Sequence, residues 1–305
     1  MTYYLGIDGG GTKTKVAVIN SEDQVIFIGT SGPSSIDTVS SEETLEAFHD
    51  ALKSLYQQYP HIKFSKVFAG IGGIVTEKDI HDVENILRRI KGTTEKTIVR
   101  ARNDMENALY SGLCFDEGIS LICGTGMVAF GLDTFGHTHK AGGWSYKEGD
   151  AGSAYDLGNQ ALKAMIRAFD GRYPMSEFAK EIAKTVGLKK AMDIVNIYNQ
   201  LDRTAIARLA PIVTKHANLN DPTALKIVET ATDELKLAVQ AVYQKLKLKE
   251  PKLVIVGSLG NAKGIFSQRL HEKIKTIDSN INITKPIVDP AEAAAMMAKR
   301  LHIDL

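Results

Sequence analysis

The stretch from Gly6 to Lys15, which reads GIDGGGTKTK, constrains the fold more than any other part of the chain. It lies between two short apolar runs, Tyr3–Leu5 and Val16–Ile19, so the segment is predicted to form a strand, a turn and a second strand. Glycines lack a Cβ atom, so Gly9–Gly11 can adopt positive φ and approach a ligand closely. The alternative is an ordinary glycine-rich hairpin. The pattern is neither a P-loop nor the dinucleotide fingerprint, in which a helix follows the glycines.

Polar groups on both sides of these glycines suit a phosphate and a hydrated metal ion. Successive N–H groups of such a turn can converge on an anion. Asp8 stands at the entrance and is predicted to hold Mg²⁺ through water, because hard cations prefer oxygen ligands. The alternative for Asp8 is a turn residue that caps its own backbone. The residues predicted to bind the phosphates here are Gly10, Gly11, Thr12 and Lys13.

The composition is that of an ordinary globular protein with room for two domains. The chain has 305 residues, of which 44% are hydrophobic and 24% charged, and its formal net charge is +1. This near-neutral charge gives no reason to expect a nucleic acid or an anionic membrane as a partner. No apolar run approaches the roughly 20 residues needed to span a bilayer, and the N-terminus has no signal-peptide pattern. Cys114 and Cys123 form no metal-type spacing, so a cytoplasmic protein with reduced thiols is expected.

The hydrophobic pattern predicts an α/β chain built from two similar halves. The first hundred residues read as three strands, a helix, a strand, a helix and a strand. The strand–glycine turn–strand unit then recurs around Gly124–Gly126, and helical patterns dominate from about residue 154 to 247. A third glycine turn, Gly257–Ser258, follows the strand at 253–256. Glycine turns at strand ends mark the crevice in which α/β sheets bind ligands.

Asp104 is the candidate catalytic base. It follows a predicted strand at 97–99, stands next to Asn103 and begins a predicted helix. A carboxylate at a strand end near a phosphate site could accept the proton of an attacking hydroxyl, and phosphoryl transfer needs little beyond that base, Mg²⁺ and oriented donors. The alternative is an ordinary helix N-cap.

Two further stretches are candidates for ligand contact. Thr125, between Gly124 and Gly126, is predicted to form a second phosphate turn, although a tight β-turn would look the same. Trp144 is the only tryptophan and is flanked by glycine and serine, so it could pack on the apolar face of a small ligand or belong to the core. Asp150 follows closely, and a carboxylate suits paired sugar hydroxyls.

Together these stretches resemble the sugar kinase/heat-shock protein/actin superfamily. Within it they are similar to the BadF/BadG/BcrA/BcrD-type group, which includes the eukaryotic-type N-acetylglucosamine kinases. The resemblance covers nearly the whole chain, and the run from Gly142 to Tyr155 is its most specific part. The matching pieces, in order, are Asp8–Thr12, Asn103–Asp104, Gly124–Gly126, Gly142–Trp144, Gly149–Tyr155, Ile206–Pro211 and Val256–Leu259.

The resemblance implies an actin-like ATPase fold, with two ribonuclease-H-like domains around an interdomain cleft. The first domain is expected over residues 1–112, with a C-terminal helix at about 290–305 packing back on it. The second is expected over 113–289 and carries a helical insert. The resemblance further implies ATP with Mg²⁺ and transfer of the γ-phosphate to a sugar hydroxyl. The expected partner is a small-molecule sugar, and a homodimer is also expected.

Carried over residue by residue, the resemblance makes Asp104 the catalytic base and places phosphate on Thr12 and Thr125. The nucleoside would be flanked by Ala207 and the turn at Gly257 and Ser258. The sugar would be held by Gly143, Trp144, Ser145 and Asp150.

The chain departs from the human-type N-acetylglucosamine kinases at positions that touch the sugar. Ser35 stands where they have Asn, Asp37 where they have Trp, and Met127–Val128 where they have Ser-Asn. A change of polar for apolar groups there alters which substituents are satisfied. The resemblance therefore supports a kinase more strongly than it supports N-acetylglucosamine as the acceptor. The expected acceptor is N-acetylglucosamine or a related hexosamine, with glucosamine, N-acetylmuramic acid or another hexose derivative left open.

Two other functions compete with the kinase. One is an ATPase activator of a 2-hydroxyacyl-CoA dehydratase-type enzyme, which shares the glycine turns but bridges a subunit pair with an iron–sulfur cluster. Neither Cys114 nor Cys123 is evidently displayed for such a cluster. The other is a non-catalytic sugar-binding protein, which would bind the ligand without turnover.

Overall fold

Two mixed five-stranded sheets organise the chain in the computed structural model, which describes residues 2–144 and 150–302. The chain divides into two units: the first runs through Phe115 and includes the chain from Pro286 onward, and the second spans Asp116–Lys285. The first unit contains β1 (Tyr3–Gly9), β2 (Thr14–Asn20), β3 (Val25–Ser31), α1 (Ser41–Gln58), β4 (Phe64–Ile71), α2 (Glu77–Arg88), β5 (Ile98–Arg102) and α3 (Asp104–Ser111).

The second unit begins with three strands, continues with helices and ends with two short strands. Its elements are β6 (Gly118–Cys123), β7 (Met127–Leu132), β8 (Thr138–Gly142), α4 (Ala154–Phe169), α5 (Glu177–Thr185), a 3-10 turn (Ala191–Asp193), α6 (Ile194–Gln200), α7 (Arg203–Ala207), α8 (Ala210–Asn218), α9 (Pro222–Lys245), β9 (Lys252–Val256), α10 (Ile265–Lys275) and β10 (Asn282–Thr284). The chain then returns to the first unit, where α11 (Pro290–Arg300) forms.

The two sheets have the same strand order, which confirms the predicted repeat of one α/β plan. The first sheet runs β3-β2-β1-β4-β5, with β1, β2 and β3 antiparallel and β4 and β5 parallel to β1. The second runs β8-β7-β6-β9-β10 with the same pattern of directions. In each unit a glycine turn joins the first two strands, and the helices from α4 to α9 lie between β8 and β9 in sequence.

Alternation along β1 and β2 gives the first sheet two different faces. Leu5, Ile7, Val16 and Val18 are fully buried against the apolar side of α1 and α2. Residues in between face α11, which approaches so closely that a Cβ atom on Gly6 would lie 2.1 Å from the backbone nitrogen of Ala295. The alanine-rich sequence of α11 therefore serves a backbone-to-backbone contact, as a helix lacking bulky side chains allows.

Local signals in the sequence set several helix ends. Ser40 and Glu43 form a capping box at the start of α1, with each side chain bonded to the other residue's backbone N–H. Asp289 caps α11 and also forms an ion pair with Lys15 of β2 at 2.7 Å. No helix within residues 2–144 and 150–302 has both the length and the apolar character that crossing a bilayer requires.

Candidate active site

Asp8 and Asp104 lie at the carboxyl ends of β1 and β5, on either side of β4. Asp8 is paired with Gly70 of β4, and Gly70 is paired with Arg102 of β5. Asp104 comes two residues after Arg102, as the first residue of α3. The carboxyl ends of parallel strands form the edge at which α/β sheets bind ligands. The sheet register therefore brings the predicted metal-binding and catalytic carboxylates to the same edge.

Asp104 is not the N-cap of α3. That position belongs to Asn103, whose Oδ1 accepts the backbone N–H of Met105 at 3.0 Å and whose Nδ2 donates to the carbonyl of Ile74. The carboxylate of Asp104 is thus released from the capping role that the sequence left open. It projects from the first turn of the helix, where partial positive charge favours an anion.

Asn107, one turn further along α3, fixes the carboxylate of Asp8. Its Nδ2 donates to Asp8 Oδ1 at 2.9 Å and to the carbonyl of Ile7 at 3.0 Å, and the side chain is fully buried. Gly70 makes room for this side chain, because a Cβ atom there would lie 2.4 Å from the Asn107 amide. The amide oxygen Oδ1 is buried with no hydrogen-bond partner among the described residues. Burial of an amide with one unpaired oxygen has a cost, so we interpret Asn107 as a positioning residue for Asp8.

Ser35 and Asp37 pack against two glycines that follow β4, close to Asp104. A Cβ atom on Gly72 would lie 2.6 Å from Ser35 Oγ and 3.5 Å from Asp104 Oδ2, so the hydroxyl and the carboxylate flank one position. Gly73, with φ of +86°, packs against Asp37. Ser35 Oγ donates to Asp37 Oδ1 at 2.5 Å. Two predicted sugar contacts therefore lie beside the predicted base.

Burial shifts the pKa values of two of these carboxylates upward. Burial raises the pKa of Asp104 to about 7, and the negative charges of Asp8 and Asp37 add to that rise. Burial raises the pKa of Asp8 to about 6, although the hydrogen bond from Asn107 opposes this. A carboxylate with a pKa near neutral pH is a stronger proton acceptor than an ordinary aspartate, which suits a general base.

The first glycine turn differs in one respect from its prediction. None of Gly9, Gly10 and Gly11 has a positive φ. Gly9 is required for space, since a Cβ atom there would lie 2.3 Å from Ser34 Oγ, and the Gly10 carbonyl accepts the N–H groups of Ser34 and Ser35. The turn is thus shaped by close packing of the 34–35 loop. Gly11, Thr12 and Lys13 are exposed at its tip, as a phosphate contact requires.

Asp8 alone would give a metal ion only one protein ligand. Within residues 2–144 and 150–302, no group of three or more His, Cys, Asp or Glu side chains is arranged to hold one. Mg²⁺ commonly keeps several waters and binds through one or two carboxylates plus substrate phosphates. Asp8, partly exposed and oriented by Asn107, fits that mode, whereas a permanent protein cage for a metal does not fit these residues.

The second glycine turn is tied to the start of α4. Ala154 N–H donates to the Gly124 carbonyl at 2.8 Å and Tyr155 N–H to the Thr125 carbonyl at 3.2 Å. Thr125 itself is exposed. The third turn abuts this one, because Gly257, with φ of +109°, has its Cα facing the carbonyl of Cys123, which a Cβ atom would approach to 2.4 Å.

The residues next to these turns differ in exposure. Ser258 is exposed, whereas Ala207, at the end of α7, is buried.

The predicted sugar residues of the second unit other than Asp150 are placed in different ways. The side chain of Met127 is buried in the core and that of Val128 packs under Gly143, so neither is displayed. Trp144 is 71% exposed, and the ammonium of Lys140 lies 3.8 Å from its ring centroid. Ser145 lies outside the described residues.

Asp150 is engaged on both carboxylate oxygens. Oδ1 accepts the backbone N–H of Met127 at 3.1 Å, and Oδ2 accepts from Arg203 at 2.6 Å. The carboxylate is almost completely buried. It therefore connects the start of β7 to the start of α7.

Sequence reasoning missed Asn107 and Arg203. Asn103 and Asn107 are four residues apart in the sequence, on either side of Asp104. This i, i+4 spacing indicates that both amides lie on the same face of the helix. Arg203 follows the N-cap Asp202 and precedes Ala207 by four residues. In neither case does the sequence reveal the distant partner, Asp8 or Asp150.

Two known proteins are similar in sequence to this chain over most of its length. It is 32% identical to the N-acetylmuramic acid/N-acetylglucosamine kinase of Clostridium acetobutylicum, with 85% of each chain covered. It is 29% identical to the N-acetyl-D-glucosamine kinase of Dictyostelium discoideum over 97% of each.

Two solved structures have a similar fold. One is a protein of Chromobacterium violaceum, with a TM-score of 0.77 at 22% identity, covering 98% of this chain and 99% of that one. The other is a ROK family glucokinase of Streptomyces griseus, with a TM-score of 0.61 at 14% identity, covering 98% and 100%. These neighbours confirm the predicted actin-like ATPase fold. The model of the BadF/BadG/BcrA/BcrD ATPase family matches residues 5–298, and the chain belongs to that family.

Proposed function

We propose that the protein is an ATP-dependent kinase that transfers the γ-phosphate to a hydroxyl of N-acetylglucosamine or a related hexosamine. The observation that carries the proposal is the position of Asp104: at a strand end, free of a capping role, with a raised pKa and with Ser35 beside it. Two relatives that match most of the chain are named as kinases of N-acetylglucosamine, which supports the choice of acceptor.

In this proposal Asp104 accepts the proton of the sugar hydroxyl. The hydroxyl oxygen then forms a bond to the γ-phosphorus, the bond from that phosphorus to the β–γ bridging oxygen breaks, and ADP leaves. Because the pKa of Asp104 is about 7, a large fraction of the carboxyl is ionised at neutral pH and still basic enough to take the proton. Ser35 and Asp37 orient the acceptor through its hydroxyl groups, and Gly143, Trp144 and Ser145 are assigned to the same substrate.

The nucleotide is assigned to the glycine turns. Thr12 and its neighbours in the first unit, and Thr125 in the second, contact the phosphates through hydroxyl and N–H groups. Ala207 and the Gly257–Ser258 turn are assigned to the nucleoside. Asp8 would hold Mg²⁺ through its waters, and Mg²⁺ would neutralise charge on the phosphates.

The dehydratase-activator alternative needs cysteines that can reach an iron–sulfur cluster. Cys114 and Cys123 are both buried, and burial raises the pKa of the Cys123 thiol to about 12. Cluster ligands are thiolates, so these two residues are poorly suited to that role. The structure of this chain therefore favours the kinase.

An acceptor screen tests the proposed function. The purified protein is incubated with ATP and Mg²⁺, and ADP release is followed with no sugar, N-acetylglucosamine, N-acetylmuramic acid, glucosamine or glucose. We expect ADP release to depend on an amino sugar, with the phosphosugar identified by mass spectrometry. ADP release that no sugar stimulates would overturn the kinase. Sugar binding without turnover would favour the binding protein.

A further inference from the structure

The Gly257–Ser258 turn, which the proposed function assigns to the nucleoside, continues through Asn261. The N–H of Gly260 donates to the carbonyl of Cys123 at 3.1 Å, and the N–H of Asn261 donates to the carbonyl of Gly257 at 3.3 Å. Cys123 directly precedes the second glycine turn. The nucleoside turn is therefore fixed to the strand end that leads into one of the proposed phosphate contacts.

The side chain of Asn261 folds back onto this turn. Its Nδ2 donates to the carbonyl of Ile255 at 2.8 Å and to the carbonyl of Gly257 at 3.1 Å. Both neighbours are carbonyl oxygens, which only accept hydrogen bonds, so the NH₂ end of the amide must face them. The two carbonyls thus leave the amide a single orientation.

The other end of the amide, Oδ1 of Asn261, is directed away from these carbonyls. The side chain is half-buried, and Oδ1 accepts no hydrogen bond from the residues that the structure describes. Oδ1 is not enclosed by the protein, so solvent or a ligand can reach it. A fixed oxygen with free lone pairs therefore lies at the nucleoside turn and can accept an N–H group.

Adenine and guanine differ in the group that such an oxygen would meet. Adenine carries an amino group at position 6, which is a donor, whereas guanine carries a carbonyl oxygen there, which is an acceptor. Two acceptors that face each other form no hydrogen bond, and both are left without a partner. A fixed acceptor at the turn would therefore discriminate adenine from guanine.

We propose that Asn261 selects adenine by accepting the 6-amino group of the base on Oδ1. The inference rests on the proposed function, because it adds a base contact to the nucleoside site of that kinase. The two hydrogen bonds that Nδ2 donates hold the amide in place before the nucleotide binds. Little side-chain freedom is then lost on binding, so most of the energy of the new hydrogen bond contributes to affinity.

The contact is tested first in the wild-type protein, by calorimetry with Mg²⁺ and three nucleoside diphosphates. We expect ADP to bind about threefold to tenfold more tightly than purine riboside 5′-diphosphate, which lacks the 6-amino group, because one neutral hydrogen bond is lost. GDP should bind at least about tenfold more weakly than ADP, because it brings an acceptor to Oδ1. Equal affinities for ADP and purine riboside 5′-diphosphate would contradict the inference without any variant.

Asn261→Ala separates the base contact from a purely structural role of the amide. The ratio of the affinities for ADP and purine riboside 5′-diphosphate should fall to within about twofold of one, because the acceptor is gone. If the variant weakens both ligands equally and the ratio stays at its wild-type value, the amide only braces the turn and the inference is wrong.

Asn218→Ala is the matched control. Oδ1 of Asn218 accepts the N–H of Ile265 at 2.8 Å, at the start of α10 and just beyond the same turn. This variant should lose stability but keep the preference for ADP. A loss of preference as large as that of Asn261→Ala would assign the effect to the stability of the loop and overturn the inference.

Failure of the inference and failure of the kinase give different results. A wild-type protein that binds none of the three diphosphates would overturn both. Wild-type binding with no preference for the 6-amino group would overturn the inference alone, since the acceptor screen could still show a sugar-dependent kinase.

Discussion

Asn107 holds the carboxylate of Asp8 through a 2.9 Å hydrogen bond that joins α3 to the end of β1. The two residues are 99 positions apart, and the same amide also bonds the carbonyl of Ile7. Loss of an outer group that orients a metal ligand typically lowers metal affinity or activity by about 10–100-fold. The proposed Mg²⁺ contact therefore depends on α3 as well as on the glycine turn.

Replacement of Asn107 by alanine is expected to raise the Mg²⁺ requirement. Asp8 would lose its donor, so the Mg²⁺ concentration for half-maximal rate should rise about tenfold or more. The carbonyl of Ile7 would lose a partner, which is expected to lower the free energy of unfolding by about 1–3 kcal/mol. A Mg²⁺ titration of the rate and a denaturant curve measure the two effects.

Ser111→Ala is the control for that variant. Ser111 is fully buried on the same helix and donates to the carbonyl of Ala108, away from Asp8. It should lose stability without a change in the Mg²⁺ requirement. If Asn107→Ala behaves like Ser111→Ala, the positioning role is wrong.

Gly70→Ala is expected to reproduce the effect of Asn107→Ala from the opposite side. The new Cβ atom would stand 2.4 Å from the Asn107 amide and displace it from Asp8. We expect a raised Mg²⁺ requirement and a lower melting temperature. Gly32→Ala is the control, because nothing lies within 4 Å of its Cβ position. A Gly70→Ala enzyme with wild-type Mg²⁺ dependence would contradict this interpretation.

Much of the fold could be predicted because its determinants are local. The capping box of Ser40 and Glu43, the alternation along β1 and β2, and the repeated strand–glycine turn–strand unit are all visible in short windows of sequence. The position of Asp104 between a strand and a helix is also a local property, whereas its role as the base stays a prediction.

The rest of the site depends on contacts that no short window contains. From the sequence alone, the glycine at position 9 is explained by its freedom to adopt positive φ. In the structure a glycine is required there because Ser34 packs against it. Met127 was predicted to touch the sugar, but whether its side chain faces the core or the surface is decided by the pairing of β7 with β6 and β8. The arginine that bonds Asp150 is 53 residues away in sequence, and only the tertiary fold brings it there.

Asp104→Asn is expected to stabilise the protein at neutral and alkaline pH. The folded state raises the pKa of Asp104 from about 4 in the unfolded chain to about 7, so the folded state binds the proton more tightly. Wild-type stability therefore falls as pH rises from about 4 to about 7, and the neutral amide avoids that loss. Without nucleotide or Mg²⁺, the melting temperature of the variant should exceed that of wild type by a few degrees at pH 8, since about 1 kcal/mol corresponds to roughly 2–4 °C.

The gain in melting temperature of Asp104→Asn over wild type should shrink toward pH 4.5, where the wild-type carboxyl is protonated. Asp82→Asn is the control, because Asp82 is an exposed residue that pairs with Lys78. A melting-temperature difference between Asp104→Asn and wild type that does not vary with pH would mean that burial does not raise the pKa of Asp104.

Both thiols are expected to be unreactive in the folded protein. Cys114 is 2% exposed and Cys123 fully buried, and burial raises the pKa of the Cys123 thiol to about 12. Labelling with a disulfide reagent at pH 8 should be negligible until denaturant is added, when two thiols per chain should react. Rapid labelling of the native protein would reopen the iron–sulfur alternative, as would iron in protein purified without oxygen.

The most direct test of the central claim is the rate of sugar-dependent ADP release by Asp104→Asn, measured with ATP binding in the same preparation. The account predicts a kcat about 10²–10⁴-fold below wild type, because the amide cannot accept the proton, and an ATP affinity within about twofold of wild type. A variant that retains its nucleotide affinity and turns over at a rate close to wild type would contradict the assignment of Asp104 as the base.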